Sequence, residues 1–153
     1  KNILLKKEVL FDTGLATLRP EGLDVLKEIG KFYGEHPALT FLEIQGHADE
    51  KGSKKFNETL AEDRAIAVKA YLTNTYGAWF RSYKKTHVRA RNLINPRDMK
   101  LLIPINPKKV DISVASFGNR CKKVEGLDSS QLQLNRRVDF HADRNRSKQC
   151  FKH

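Results

Sequence analysis

Gly46-His47-Ala48-Asp49-Glu50-Lys51-Gly52-Ser53, followed by Asn57-Glu58-Thr59-Leu60-Ala61-Glu62-Asp63-Arg64-Ala65, decides the reading of this chain. The residues just before it, Leu39 to Gly46, are dominated by Leu, Phe and Ile and predict a strand. Those after it, from about Asn57 to Leu72, are good helix formers with an apolar stripe at Leu60, Ala61, Ala65, Val68 and Leu72. The polar stretch between is therefore a loop leaving a strand end, where side chains are free to meet a ligand. Asn57, Ala61 and Arg64 fall at i, i+4 and i+7 and share one face of the helix. Arg64 lies beside the apolar stripe, so its guanidinium must either snorkel to water or meet a carboxylate. A carboxylate at Asp49 and a guanidinium at Arg64, held apart, would grip a zwitterion by its ammonium and its carboxylate. The same spacing also allows a plain Asp49–Arg64 salt bridge or two unrelated solvated charges.

Outward from this stretch, a short strand is expected at Lys7 to Phe11 and a helix after Leu18-Arg19-Pro20-Glu21-Gly22, with Pro20 at the first helical position. Val25, Ile29 and Phe32, flanked by Leu26 and Tyr33, give that helix a broad apolar face, and Gly34 with His36-Pro37 ends it. Val110 to Val114 and Val138 to Ala142 alternate as half-buried strands do. The order βαβαββ implies an α+β fold, a two-layer sandwich with a mixed sheet and its helices on one face. Residues 74–109 fit no element of this plan. A 36-residue connection is either structured in its own right or functional, and Pro96, Pro104 and Pro107 argue against a helix through its second half.

The chain has 153 residues, 39% hydrophobic and 31% charged, which suits one domain with a real core and leaves no run long enough for a membrane-spanning helix. It opens on Lys1, and a mature domain or fragment is expected, any membrane anchor lying outside it. The net charge of +11 suggests nucleic acid at first sight, but residues 1–73 and 110–140 together are neutral. The excess sits in residues 74–109 and in 141–153, which includes a basic tail, 144–153. Within 76–91, Tyr76, Trp79, Phe80 and Tyr83 interleave with Arg81, Lys84, Lys85, Arg89 and Arg91, either an anion-binding patch or a solvated face whose aromatics pack on the domain. Cys121 and Cys150, 29 positions apart, form no zinc-binding pattern; they are a disulfide or two separate thiols. No metal, cofactor or catalytic motif is present in the sequence, although His47 and Asp49 would be the pair to consider for acid–base chemistry.

The quoted stretch resembles the signature of the OmpA-like peptidoglycan-binding domain, the family of outer-membrane porin tails, peptidoglycan-associated lipoproteins and MotB-type motor stators. Three more motifs carry the resemblance: Phe11-Asp12-Thr13-Gly14-x-Ala16-x-Leu18-x-Pro20, Ser116-Phe117-Gly118 and Asn135-Arg136-Arg137-Val138. They run in order from Phe11 to about Asp143, within a domain expected to cover 1–143. The resemblance implies non-enzymatic, non-covalent binding of peptidoglycan through diaminopimelate of the peptide stem, with no cofactor. In it, Asp49 takes the ammonium and Arg64 the carboxylate, with Asp12, Thr13, Asn57, Leu60 and Arg136 framing the pocket. A clamp on so few atoms implies affinity of roughly micromolar strength or weaker. The family's loop threonine is Ala48 here and its helix serine is Ala61, so hydroxyl contacts are lost. The implied setting is the periplasm, as part of a membrane protein or envelope complex, with nucleic acid disfavoured as a partner. The entry motif with Pro20-Glu21-Gly22 looks closest to MotB-type stator domains, for which a homodimer is expected.

Overall fold

The computed structural model describes residues 8–121 and 134–150; Lys7 of the expected first strand and the last three residues of the basic tail lie outside the described residues. Its strands are β1 (Glu8–Leu10), β2 (Phe41–Gly46), β3 (Asp111–Ser116) and β4 (Arg137–His141), and its helices α1 (Leu23–Glu35), α2 (Lys54–Leu72) and α3 (Tyr76–Thr86). The sheet order is β1-β4-β2-β3, with β2 parallel to β3 and antiparallel to β4, and β1 antiparallel to β4. The register sets Ile44 opposite Phe140 and Val114, and Gly46 opposite Val138 and Ser116. This is the expected mixed α+β sandwich, with one more helix than the sequence plan contained.

Each helix begins where its sequence allows. Pro20 opens a single 3-10 turn over Pro20–Gly22, and α1 follows directly. Leu26, Ile29 and Tyr33 are its buried stripe, with Val25 and Phe32 half-buried beside it. Ser53 caps α2, its hydroxyl accepting from the Phe56 amide at 3.0 Å, which starts this helix three residues before the expected Asn57. The predicted α2 stripe of Leu60, Ala61, Ala65, Val68 and Leu72 is buried throughout. At its closest approach α2 touches the end of β2. A Cβ on Gly46 would run into the Ala61 carbonyl and reach the Ala65 methyl at 3.3 Å, so only glycine permits this crossing.

Residues 74–109 are structured. On α3, Tyr76, Phe80 and Tyr83 are buried, and Ala90, Ile94, Leu101 and Ile105 continue the same core beyond it. Backbone and side-chain hydrogen bonds tie this segment to the end of α2: Ile105 N–H to the Leu72 carbonyl at 2.9 Å, and the Tyr71 hydroxyl to the Asp98 carbonyl at 2.9 Å. Between α3 and β3 the described residues hold one further helical turn, Pro96–Asp98, in keeping with the segment's prolines.

The sheet face away from the core departs from the expected half-burial. On β4, Arg137, Asp139 and His141 are as buried as Val138 and Phe140, and on β2 so are Glu43 and Gln45. The tail is the cover. Ser147 Oγ donates to Glu43 Oε2 at 2.5 Å, the Lys148 amide donates to both Glu43 oxygens, and Gln45 Nε2 donates to the Gln149 carbonyl at 3.0 Å. A disulfide joins Cys121 to Cys150 and fastens that tail to the loop after β3. Buried polar groups on this face need partners, and the tail's backbone supplies several of them.

Candidate functional site

The site is built where β2 hands over to α2. Asn57, in the first turn of α2, shapes the loop: its Oδ1 accepts from the Glu50 amide at 3.0 Å, and its Nδ2 donates to the carbonyls of Glu50 and Ser53 at 3.1 and 3.2 Å. It is 1% exposed, so the residue holds the loop's path rather than facing outward. Leu60, one turn on, lies in the hydrophobic core.

Two turns after Asn57 comes Arg64, fully buried. Its five N–H groups meet five acceptors. Nε donates to the Leu15 carbonyl at 2.9 Å, Nη1 to the His47 carbonyl at 3.1 Å and to Glu50 Oε1 at 3.3 Å, and Nη2 to the Asp12 carbonyl at 2.9 Å and to Glu50 Oε2 at 2.5 Å. The guanidinium also sits over the Phe11 ring, 5.4 Å from its centre. Burial lowers its pKa from the ordinary arginine value, and the Glu50 carboxylate opposes that shift. Arg64 thus stitches the entry segment, the end of β2 and the loop into one unit. The expected carboxylate partner of this arginine exists, and it is Glu50; a direct Asp49–Arg64 salt bridge is not formed. The Glu50 carboxylate also accepts from the amides of Gly14 and Asp49, each at 2.8 Å.

The accessible groups lie around the rim of this buried pair. Asp49 is half-buried and accepts from Asn135 Nδ2 on Oδ2 at 2.9 Å. Arg136, with a side chain 11% exposed, donates through Nη1 to Thr13 Oγ1 at 2.7 Å and through Nε and Nη2 to the Asp49 carbonyl at 3.4 and 3.3 Å. Its Nε also lies 3.6 Å from Glu50 Oε2. Asp12 is half exposed and pairs with Arg19 at 3.3 Å. Three chain segments therefore converge: 12–13 after β1, 49–50 after β2, and 135–136 before β4. Of the sequence candidates, Asp12, Thr13, Asp49 and Arg136 meet at this rim, while Asn57, Leu60 and Arg64 form its buried support. Glu50 and Asn135 were not among the candidates. Glu50 was detectable from the demand that Arg64 find a carboxylate, and Asn135 stood beside Arg136 in the closing motif.

His47 faces elsewhere. It is 1% exposed, with Nε2 3.2 Å from Asp139 Oδ2 and its ring 5.6 Å from that of Phe117. In residues 76–91 the aromatics pack inward and the bases outward. Tyr76 and Tyr83 hydroxyls accept from the amides of Leu18 and Ala16 at 3.1 and 3.2 Å, bracing the entry segment that carries Asp12 and Thr13. Arg81, Lys84, Lys85, Arg89 and Arg91 are all exposed, with Lys84 Nζ donating to the Ala90 carbonyl at 2.9 Å.

The chain is similar to known proteins in sequence and in fold. Outer membrane protein A of Klebsiella aerogenes is 36% identical over 73 residues, 47% of this chain and 21% of that protein. Outer membrane porin F of Pseudomonas aeruginosa is 29% identical over 75 residues, 49% of this chain and 21% of that protein. The match thus spans about a fifth of the length of these relatives. Among solved structures, the peptidoglycan-associated lipoprotein of Burkholderia pseudomallei superposes with a TM-score of 0.59 at 21% identity, covering 88% of each chain. The C-terminal domain of Helicobacter pylori MotB superposes at 0.57 and 16% identity, over 91% of this chain and 88% of that one. These two share its fold. The family model for the OmpA family matches residues 10–91, from the entry segment through the loop, α2 and α3, and the chain belongs to that family.

Proposed function

We propose that this domain binds peptidoglycan non-covalently, taking diaminopimelate of the peptide stem at the rim formed by Asp12, Thr13, Asp49, Asn135 and Arg136. It thereby anchors a membrane protein or envelope complex to the wall from the periplasm. One observation carries the reading: three separate segments bring a half-buried carboxylate and a guanidinium with only its edge exposed together on a buried scaffold. Asp49 receives the ligand ammonium, and its charge-assisted hydrogen bond is the strongest contact the rim can offer. Arg64 contributes by fixing the loop and the entry segment, and a ligand carboxylate reaches it only where Glu50 gives way. The domain is a binding module; the histidine of its site loop is buried, with Nε2 3.2 Å from Asp139 Oδ2.

A second reading is favoured by the exposure of all five bases of residues 81–91, which give α3 and the turn after it an anion-binding face. The anionic wall polymer itself could meet both surfaces. A salt titration of binding to purified sacculi separates them. Binding through the rim weakens modestly with ionic strength, whereas binding through the basic face falls steeply and survives loss of Asp49.

A further inference from the structure

Four donors converge on one carboxylate beneath the rim: Arg64 Nη1 and Nη2 and the amides of Gly14 and Asp49, all directed at Glu50. This is a complete carboxylate-binding site, and it is occupied from within. The Glu50 side chain is 3% exposed, and Arg64 has every N–H engaged. Asn57 grips the Glu50 backbone on both its amide and its carbonyl, so the carboxylate is tethered beside Arg64 at high effective concentration.

We propose that Glu50 is a tethered carboxylate that competes with the ligand's carboxylate for Arg64 and sets the affinity of the site. The inference rests on the reading of the rim as a diaminopimelate site. A ligand carboxylate gains the arginine only by displacing Glu50, and the ligand's apparent affinity is reduced by the rarity of that displaced state. The wild-type domain therefore holds its ligand by the rim, more weakly than the same motif with its arginine open. Glu50 also has a structural consequence: it neutralises a buried guanidinium, so its removal leaves a buried charge whose vacancy fits a small carboxylate.

The test pairs a rescue with a titration. Glu50→Ala, Glu50→Gln and wild type are melted in sodium acetate and in sodium chloride of equal ionic strength, near 0.1 M in order of magnitude. Acetate should raise the melting temperature of Glu50→Ala by about 4 °C or more relative to chloride, while wild type and the space-filling Glu50→Gln move by less than about 1 °C. A Glu50→Ala chain that folds only in acetate counts as the same rescue. Equal melting, or failure to fold in both salts, overturns the assignment whatever the sacculi do. Meso-diaminopimelate is then titrated into wild type and Glu50→Ala, followed by amide chemical shifts. Binding by Glu50→Ala at least about tenfold tighter supports competition, and equal or weaker binding overturns it. Acetate rescue with no binding of diaminopimelate or sacculi by either protein would keep the carboxylate site and overturn the peptidoglycan reading instead.

Discussion

Arg64 on α2 and Glu50 in the loop after β2 are joined by two hydrogen bonds of 2.5 and 3.3 Å, with both side chains out of contact with water. Breaking such a pair by removing one partner strands a buried charge, at a cost of about 3–5 kcal/mol. Arg64→Ala should lower the unfolding free energy by that amount in a urea titration. Arg64→Lys should recover little of it, because a lysine offers three donors on a flexible stem where the structure uses five in a fixed fork.

All four tyrosines of the chain are held neutral by burial. Tyr76 is pushed up to about 12, and Tyr33, Tyr71 and Tyr83 are also raised. Tyr33 donates to the Phe41 carbonyl at 2.6 Å and Tyr71 to the Asp98 carbonyl at 2.9 Å, bonds that need the phenol proton. The folded values lie above the unfolded value of about 10, so above that pH the unfolded chain binds fewer protons. The tyrosine contribution to stability is present below about pH 10 and is lost as pH rises through the folded values. Phenolate absorbance should stay low in the native protein near pH 10 and appear together with unfolding at higher pH.

Gly30 on α1 is where the insertion crosses the helix. A Cβ there would lie 2.5 Å from the Ile103 carbonyl oxygen and 2.6 Å from Leu101 Cδ2. Helix propensity favours alanine over glycine by about 1 kcal/mol, but overpacking against a backbone oxygen costs about 1–3 kcal/mol. Gly30→Ala should therefore give no net gain and a measurable loss in midpoint denaturant, whereas alanine at an uncrowded helical glycine would stabilise.

The Cys121–Cys150 bond closes a loop of about 30 residues and should stabilise by about 3–4 kcal/mol on the chain-entropy model. Cys150→Ser should lower the melting temperature and, by freeing the tail that bonds to Glu43 and Gln45, speed amide exchange along β2 and β4.

Periodicity and turn chemistry made most of the scaffold legible. The alternation in Val110–Val114 and Val138–Ala142, the stripe of α2 and the proline at the start of α1 each reported a local preference that the tertiary structure kept. Three things were not legible, for physical reasons. The α3 helix lies in a segment whose charge and aromatic content suggested a surface, because its buried tyrosines are fixed by distant amides at Leu18 and Ala16. The burial of Glu43 and Gln45 depends on the tail folding back across the sheet, a contact that no local pattern encodes. Within the site, the rule that Arg64 needs a carboxylate was sound, but two acidic residues stood side by side. Only the fold shows that Glu50 points in and Asp49 out.

The proposed grip of Asp49 on the wall ligand, with the buried pair beneath it holding the rim in place, can be checked by co-sedimentation of the domain with purified peptidoglycan sacculi at moderate salt, wild type against Asp49→Asn. Asparagine can keep the hydrogen bond to Asn135 and removes the charge at a half-exposed position, so stability should change by no more than about 0.5 kcal/mol. Wild type should be retained by the sacculi, and Asp49→Asn should stay in the supernatant while still folded. Equal retention of the two proteins would contradict it.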